Sequence, residues 1–146
     1  MSKYWVLIAP KNHVIAGTAG GFAQSCHGKS HPLKRMSVGD GLIYYSPKLE
    51  YGGQNLCQAF TAIGQITGED VYSENVSENF APHRRHVNYF PARELLIKPL
   101  INQLTFIKDK EHWGNIFRFG IIRIPFEDFK LIAAKMCLRK DMPISA

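Results

Sequence analysis

Residues 4–29, YWVLIAPKNHVIAGTAGGFAQSCHGK, decide how the rest of the chain is read. Residues 4–9 (YWVLIA) are an unbroken aromatic and branched run of strand length bounded by Pro10, the pattern of a buried strand. Asn12 then offers a helix N-cap, and residues 13–19 a short helix. Gly20 and Gly21 close it, because glycine enters positive φ without a Cβ clash. Residues 22–29 (FAQSCHGK) combine one ring with small and polar side chains and carry no helical period, so they leave the helix as an irregular strand or loop.

Outward from this unit the strand signal recurs. Val38-Gly39-Asp40-Gly41 is a turn that feeds a strand at 42–46 (LIYYS), stopped by Pro47. A glycine-containing loop at 50–55 precedes a strand at 57–66 (CQAFTAIGQI), with Gly64 as its bulge. Residues 69–82 are polar and acidic, a surface connection; residues 83–89 (HRRHVNY) form a strand of alternating exposure, and 93–96 continue the sheet after Pro91. Residues 97–104, with Pro99 near the start, predict a short helix, and 119–124 (FGIIRI) a late buried strand. Pro125 opens a last helix with Phe126, Phe129, Ile132, Ala133 and Met136 on one face. Glu127 and Asp128 sit in its first turn and Lys135, Arg139 and Lys140 near its end, complementing the macrodipole. Five or six strands with short helices between them predict an α+β fold: a small, strongly bent sheet closing toward a barrel.

At 146 residues the chain suits one domain over 1–146, and 45% apolar against 21% charged residues is a globular balance that excludes a disordered tail. Eighteen Lys and Arg against 12 acidic residues give a net charge of +6, which favours a polyanionic partner. Cys26, Cys57 and Cys137 are odd in number and contain no CxxC pair, which argues against a disulfide framework and a structural zinc site and suits a cytoplasmic location. Residues 4–10 are too short for a signal-peptide core or a bilayer span, so no membrane association is expected.

Catalysis has little to stand on. Cys26 beside His27 suggests a thiol and its base, but such partners meet in space from distant segments, and a structural cysteine beside a hydrogen-bonding histidine accounts for the pair more simply. His27 and His31 are four apart, but Gly28 and Pro32 prevent the helix that would give the spacing a meaning for metal binding. No GxSxG, P-loop or zinc signature occurs, so neither an enzyme, a metal nor a cofactor is expected. The stronger constellation joins rings to cations. Phe22, Gln24, His27 and Lys29 lie in one segment, Tyr44 and Tyr45 in a second, Tyr89 and Phe90 in a third, and Trp113, Phe117 and Arg118 in a fourth. Base recognition requires flat apolar walls, a few polar groups for the base edge and cations for the backbone. Taken singly, each ring is better explained as core, since aromatics carry much of a small core's buried area. Arg118, between Phe117 and Phe119, would alternate in a strand onto the face opposite those rings.

Taken in order, Tyr4-Trp5-Val6, Gly21 to Lys29 (GFAQSCHGK), Pro32 to Met36 (PLKRM), Gly39-Asp40, Tyr44-Tyr45-Ser46-Pro47, Gln58 to Gly64 (QAFTAIG), Trp113-Gly114 and Phe117 to Gly120 (FRFG) resemble the EVE domain over nearly the whole chain. The resemblance implies a PUA-like fold, a mixed β pseudobarrel with short peripheral helices and a C-terminal helix. It also implies kinship with YTH domains, which bind a methylated adenine in RNA, and a module that reads a modified base, notably a modified cytosine in DNA. Carried over by position, Phe22 is one aromatic wall, Tyr89 a second, and Trp113 belongs to the loop that closes the pocket, with Gln24 and Asn12 as polar contacts. His27, Lys29, Tyr45 and Ser46 fall in matching motifs, and Arg118 completes the expected base-binding set. Lys34, Arg35, Arg84 and Arg85 form the expected phosphate rim. Partners implied are DNA or RNA containing a modified base, and a nuclease or restriction enzyme. An RNA-binding accessory protein without modification preference and a Cys26-dependent hydrolase are the competing readings.

Overall fold

The computed structural model describes residues 2–138, the Cys26 side chain excepted. Its elements run β1 (Tyr4–Ile8), α1 (Lys11–Gly20), β2 (Phe22–Ala23), α2 (His31–Lys34), β3 (Gly41–Lys48), β4 (Leu56–Ile66), β5 (Tyr72–Ser73), β6 (His83–Tyr89), β7 (Leu95–Leu96), β8 (Ile121–Ile124) and α3 (Phe126–Met136), with 3-10 turns at Cys26–Gly28, Lys98–Leu100 and Asn115–Phe119. The strands join in the order β2-β6-β4-β3-β1-β8, with β5 added to β6 and β7 to β4. β1 and β3 pair in parallel and the other pairs are antiparallel, so the sheet is mixed and curls into a half-barrel of α+β class.

Strand alternation divides the core in two. Tyr4 and Val6 of β1, Ile43 and Tyr45 of β3, and Ile122 and Ile124 of β8 face one side, where Phe129, Ile132, Ala133 and Met136 of α3 cover them together with Leu104, Phe106 and Phe117. Trp5 and Leu7, Leu42 and Tyr44, and Ile121 face the other, under Val14 of α1 and Leu33 of α2. Both faces of the central strands are therefore dry, which explains why β1 and β3 read as continuous apolar runs. Two buried carboxylates fix the periphery. Asp40 accepts from Lys3 N, Trp5 Nε1 and Ser37 N at 3.0, 2.9 and 2.8 Å. Asp128 accepts from Thr105 N, Thr105 Oγ1 and Phe106 N at 3.0, 2.9 and 2.8 Å, so it anchors a loop in addition to lying at the N-terminus of α3.

Several local expectations need correction. The N-cap of α1 is Pro10, not Asn12, which lies in the first turn; the C-cap is Gly21 at φ 71°. β3 runs through Pro47 to Lys48, because Pro47 falls at a register irregularity where no ladder donor is needed. Gly64 is not a bulge. The ladder shifts between Tyr44↔Ala62 and Tyr45↔Phe60, leaving Thr61 as the extra residue, while Gly64 is paired with Leu42 and Tyr89. There β4 and β6 approach so closely that a Cβ on residue 64 would sit 2.5 Å from Asn88 O. Helix 97–104 shrinks to the 3-10 turn at Lys98–Leu100. The last long strand begins at Ile121, and Phe117, Arg118 and Phe119 lie in the preceding 3-10 turn. Arg139 and Lys140 fall outside the described residues.

Candidate nucleic-acid interface

A cavity of about 360 Å3 opens on the α1 face of the sheet, lined by Ala9, Pro10, His13, Val14, Ala16, Gly17, Phe22, Gln24, Ser25, His27, Tyr44, Tyr51, Val76, Phe80 and Arg84. Its floor is Tyr44, whose hydroxyl accepts from Gln24 N and donates to Gln24 O, both at 3.0 Å. This two-way clasp lets the irregular segment after β2 cross the sheet without losing its backbone partners. Burial pushes the Tyr44 hydroxyl far above its ordinary value of 10, so it stays protonated in the fold. Beneath Phe22, Tyr89 donates from its hydroxyl to Phe22 O at 2.8 Å, and burial together with the neighbouring Tyr44 raises it as well.

One side of the cavity follows from register. Phe22 pairs with His86 and Ala23 with Arg85, so Phe22 shares a face of the β2–β6 ladder with Arg84, its diagonal neighbour. The Arg84 guanidinium carbon lies 3.9 Å from the centroid of the Phe22 ring, and Arg84 Nε donates to Gln24 Oε1 at 3.0 Å. The Cδ2–Cε2 edge of the ring rests on Gly20, where an added Cβ would lie 2.4 Å from Phe22 Cε2. The other side is made by loops. His27, held at φ 62°, meets Tyr51 edge-on at 6.1 Å between ring centres. Residues 76–80 fold back on themselves, Val76 N and Ser77 N both donating to Phe80 O at 3.0 and 3.2 Å, which projects Val76 and Phe80 over the opening. Tyr51, Val76 and Phe80 are 67%, 53% and 41% exposed, an apolar rim open to solvent. His83 Nδ1 and Gly28 O, 3.1 Å apart, tie the His27 turn to β6.

Of the expected site residues, Phe22, Gln24, His27 and Arg84 come together here. The expected convergence of Phe22, Tyr89 and Trp113 does not occur. Tyr89 lies behind Phe22 and is outside the lining, and Trp113 sits with Tyr45 and Phe117 in a separate depression of about 290 Å3. Adjacent strand residues point to opposite faces: Tyr44 enters the first cavity, while Tyr45 stacks on Phe117 at 4.0 Å on the α3 side and takes Trp113 with it. Ser46 is buried against Thr61 Oγ1 at 2.8 Å. Asn12 is exposed on α1 away from the lining, and Arg118 is exposed on its 3-10 turn.

The expected phosphate rim divides in the same way. Arg85 is buried, donating to Leu33 O and Met36 O at 2.8 and 2.6 Å and to Gly68 O and Glu69 O at 2.8 and 3.4 Å; it clamps α2 to β6 and spends four of its five donors on backbone carbonyls, which leaves it ill placed to hold a phosphate. Burial lowers its pKa from the ordinary arginine value, the expected sign for a desolvated cation. Arg35 lies over the Trp5 ring at 5.2 Å. Lys29 and Lys34 are exposed outside the lining. His13, Tyr51, Val76 and Phe80 were not singled out as site residues by sequence, and Tyr44 entered only through the ring constellation, although Tyr51 and Phe80 carried a signal: large rings in loop segments otherwise polar.

Among the described residues no group of three His, Cys, Asp or Glu side chains could hold a metal ion, and no helix is long and apolar enough to cross a membrane. The EVE domain model matches residues 3–135. The chain belongs to the EVE domain family. It is similar to UPF0310 proteins of Bacillus licheniformis, 49% identical over 126 residues covering 86% of each chain, and of Streptococcus sanguinis, 48% identical over 139 residues covering 94% of this chain and 96% of that one. Among solved structures, a hypothetical protein from Leishmania major superposes with TM-score 0.55 at 11% identity over 92% of this chain and 94% of that one. Protein Atu2648 from Agrobacterium tumefaciens does so with TM-score 0.54 at 13% identity over 91% and 92%. These structural likenesses support the fold of this EVE domain alone.

Proposed function

We propose that this EVE domain is a non-catalytic nucleic-acid-binding module that takes a single modified base into the cavity beside Phe22, with modified cytosine in DNA the first candidate. The observation that carries the reading is the cavity itself: about 360 Å3, in the range of about 300–1,000 Å3 common for small-ligand pockets, ringed by Phe22, His27, Tyr51 and Phe80 over a tyrosine floor. Bases need ring-bearing walls and a few fixed polar groups, and Gln24 and Arg84 supply the latter. Ala9, Pro10, Val14 and Ala16 give an apolar surface against which an added methyl group would be buried. The net charge of +6 favours the polyanion that carries the base.

The test is fluorescence anisotropy with labelled oligonucleotides that differ only in one central base, with and without a modification, at fixed salt. The reading expects a preference for one modified base of roughly 10- to 200-fold, the range one buried methyl can supply. Indifference to every modification, together with unchanged binding in Phe22→Ala, contradicts it.

A further inference from the structure

We infer that Arg84 determines the base specificity of this cavity by reading the base edge, and that Phe22 and Gln24 are positioning residues that hold its guanidinium in place. The inference rests on the base-binding reading above and replaces the phosphate role expected for Arg84 from sequence. A ring that stacks on a base needs an open face, and Arg84 occupies one face of Phe22. Arg84 covers that face at 3.9 Å, and Gly20 crowds the Cδ2–Cε2 edge of the ring so closely that a Cβ would stand 2.4 Å from Cε2. The ring instead fixes the plane of the guanidinium, and Gln24 Oε1, accepting from Nε at 3.0 Å, fixes its rotation within that plane.

Arginine carries five N–H donors in a rigid planar fork. Gln24 takes the one on Nε, and the four on Nη1 and Nη2 have no acceptor among the described residues, although Arg84 lines the cavity. A ligand bonded to them lies in the guanidinium plane, one layer from the Phe22 ring. A fork of this kind is matched by two converging acceptors on one edge: O6 and N7 of guanine, or O2 and N3 of cytosine. Adenine, thymine and uracil carry no such pair. The structure therefore assigns a preference for cytosine-type bases or guanine, imposed by Arg84, before any modification is considered.

Lysine separates this role from phosphate binding, because it keeps the charge but lacks the plane and the fork. Single-stranded labelled oligonucleotides of thymine with one central cytosine, 5-methylcytosine, guanine, adenine or thymine are titrated against the wild type, Arg84→Lys, Arg84→Ala, Phe22→Ala and the Phe22→Ala, Arg84→Ala double variant. Thermal unfolding confirms that each variant is folded. The wild type is expected to prefer cytosine-type bases or guanine by roughly 5- to 150-fold, the range of one bidentate contact. Arg84→Lys and Arg84→Ala both lose that preference. Phe22→Ala loses it too, yet adds no further loss in the Arg84→Ala background, the non-additivity expected when one residue acts through another.

Retention of the preference in Arg84→Lys overturns the assignment, as does a Phe22→Ala penalty of equal size in both backgrounds, which would make Phe22 an independent wall. Where Phe22→Ala does not fold, Gln24→Leu takes its place and should lose the preference. Wild-type protein that binds none of the probes sinks the base-binding reading and this inference together. Wild-type base preference that survives in Arg84→Lys leaves the reading standing and removes only the role of Arg84.

Discussion

Replacing Arg85 with methionine keeps most of the buried stem and removes the guanidinium. Leu33 O and Met36 O, reached from Nη1 at 2.8 and 2.6 Å in buried surroundings, then lose their donor. The bonds to Gly68 O and Glu69 O are only part-buried, so water can replace them. A hydrogen bond from a charged group contributes about 1.5–3 kcal/mol, so the two buried ones set a ceiling of about 3–6 kcal/mol. Relief of the desolvation of a buried cation offsets part of it. The expected net loss is about 3 kcal/mol, a drop in Tm of roughly 6–12 °C for a domain of this size. Urea and thermal unfolding followed by circular dichroism at neutral pH measure it. Arg84→Met is the internal control: its half-buried stacking and single bond to Gln24 predict a loss of about 1 kcal/mol or less. Equal losses for the two arginines would refute the division of labour that strand alternation imposes on them.

Gly20→Ala should push the Phe22 ring off Arg84 and weaken base binding about as much as Phe22→Ala does, while Tm falls by only a few degrees; anisotropy and calorimetry together check both halves. Gly64→Ala drives a Cβ into backbone at Asn88 O and Tyr89 Cα, and should cost at least about 2 kcal/mol in urea unfolding. Burial raises the Tyr44 and Tyr89 hydroxyls, so above pH 10 the unfolded chain releases protons that the fold retains. Stability therefore falls as pH rises past that value. Tyrosine absorbance should show these two hydroxyls ionising only with unfolding, and early ionisation would contradict their burial. Reduced affinity in Lys29→Ala or Lys34→Ala should be uniform across base identity and should shrink with added salt, since their exposed cations lie outside the cavity.

Most of the fold was legible because its strands are regular. β6 was read at its observed limits from alternation alone, and the apolar runs of β1 and β3 reflect a sheet buried on both faces. The same alternation already separated Arg84 from Arg85 and Tyr44 from Tyr45; grouping such neighbours as one cluster is what misplaced Arg85 and Tyr45. Local rules failed where tertiary contacts overrode them. Pro10 caps α1 in place of Asn12, and Phe119 is held in a 3-10 turn although FGIIRI has the composition of a strand. The rim formed by Tyr51, Val76 and Phe80 could not be placed from sequence, because those residues belong to loops without periodicity and only folding brings residues 51 and 76–80 beside Phe22.

A backbone amide NMR titration with an oligonucleotide carrying the preferred base tests the cavity most directly. Shifts concentrated at Gln24, Ser25, His27, Val76, Phe80 and Arg84, with Trp113 and Asn115 unmoved, are the predicted result. Shifts centred on Trp113 and its depression, or none at Gln24 and Arg84 at saturation, would contradict it.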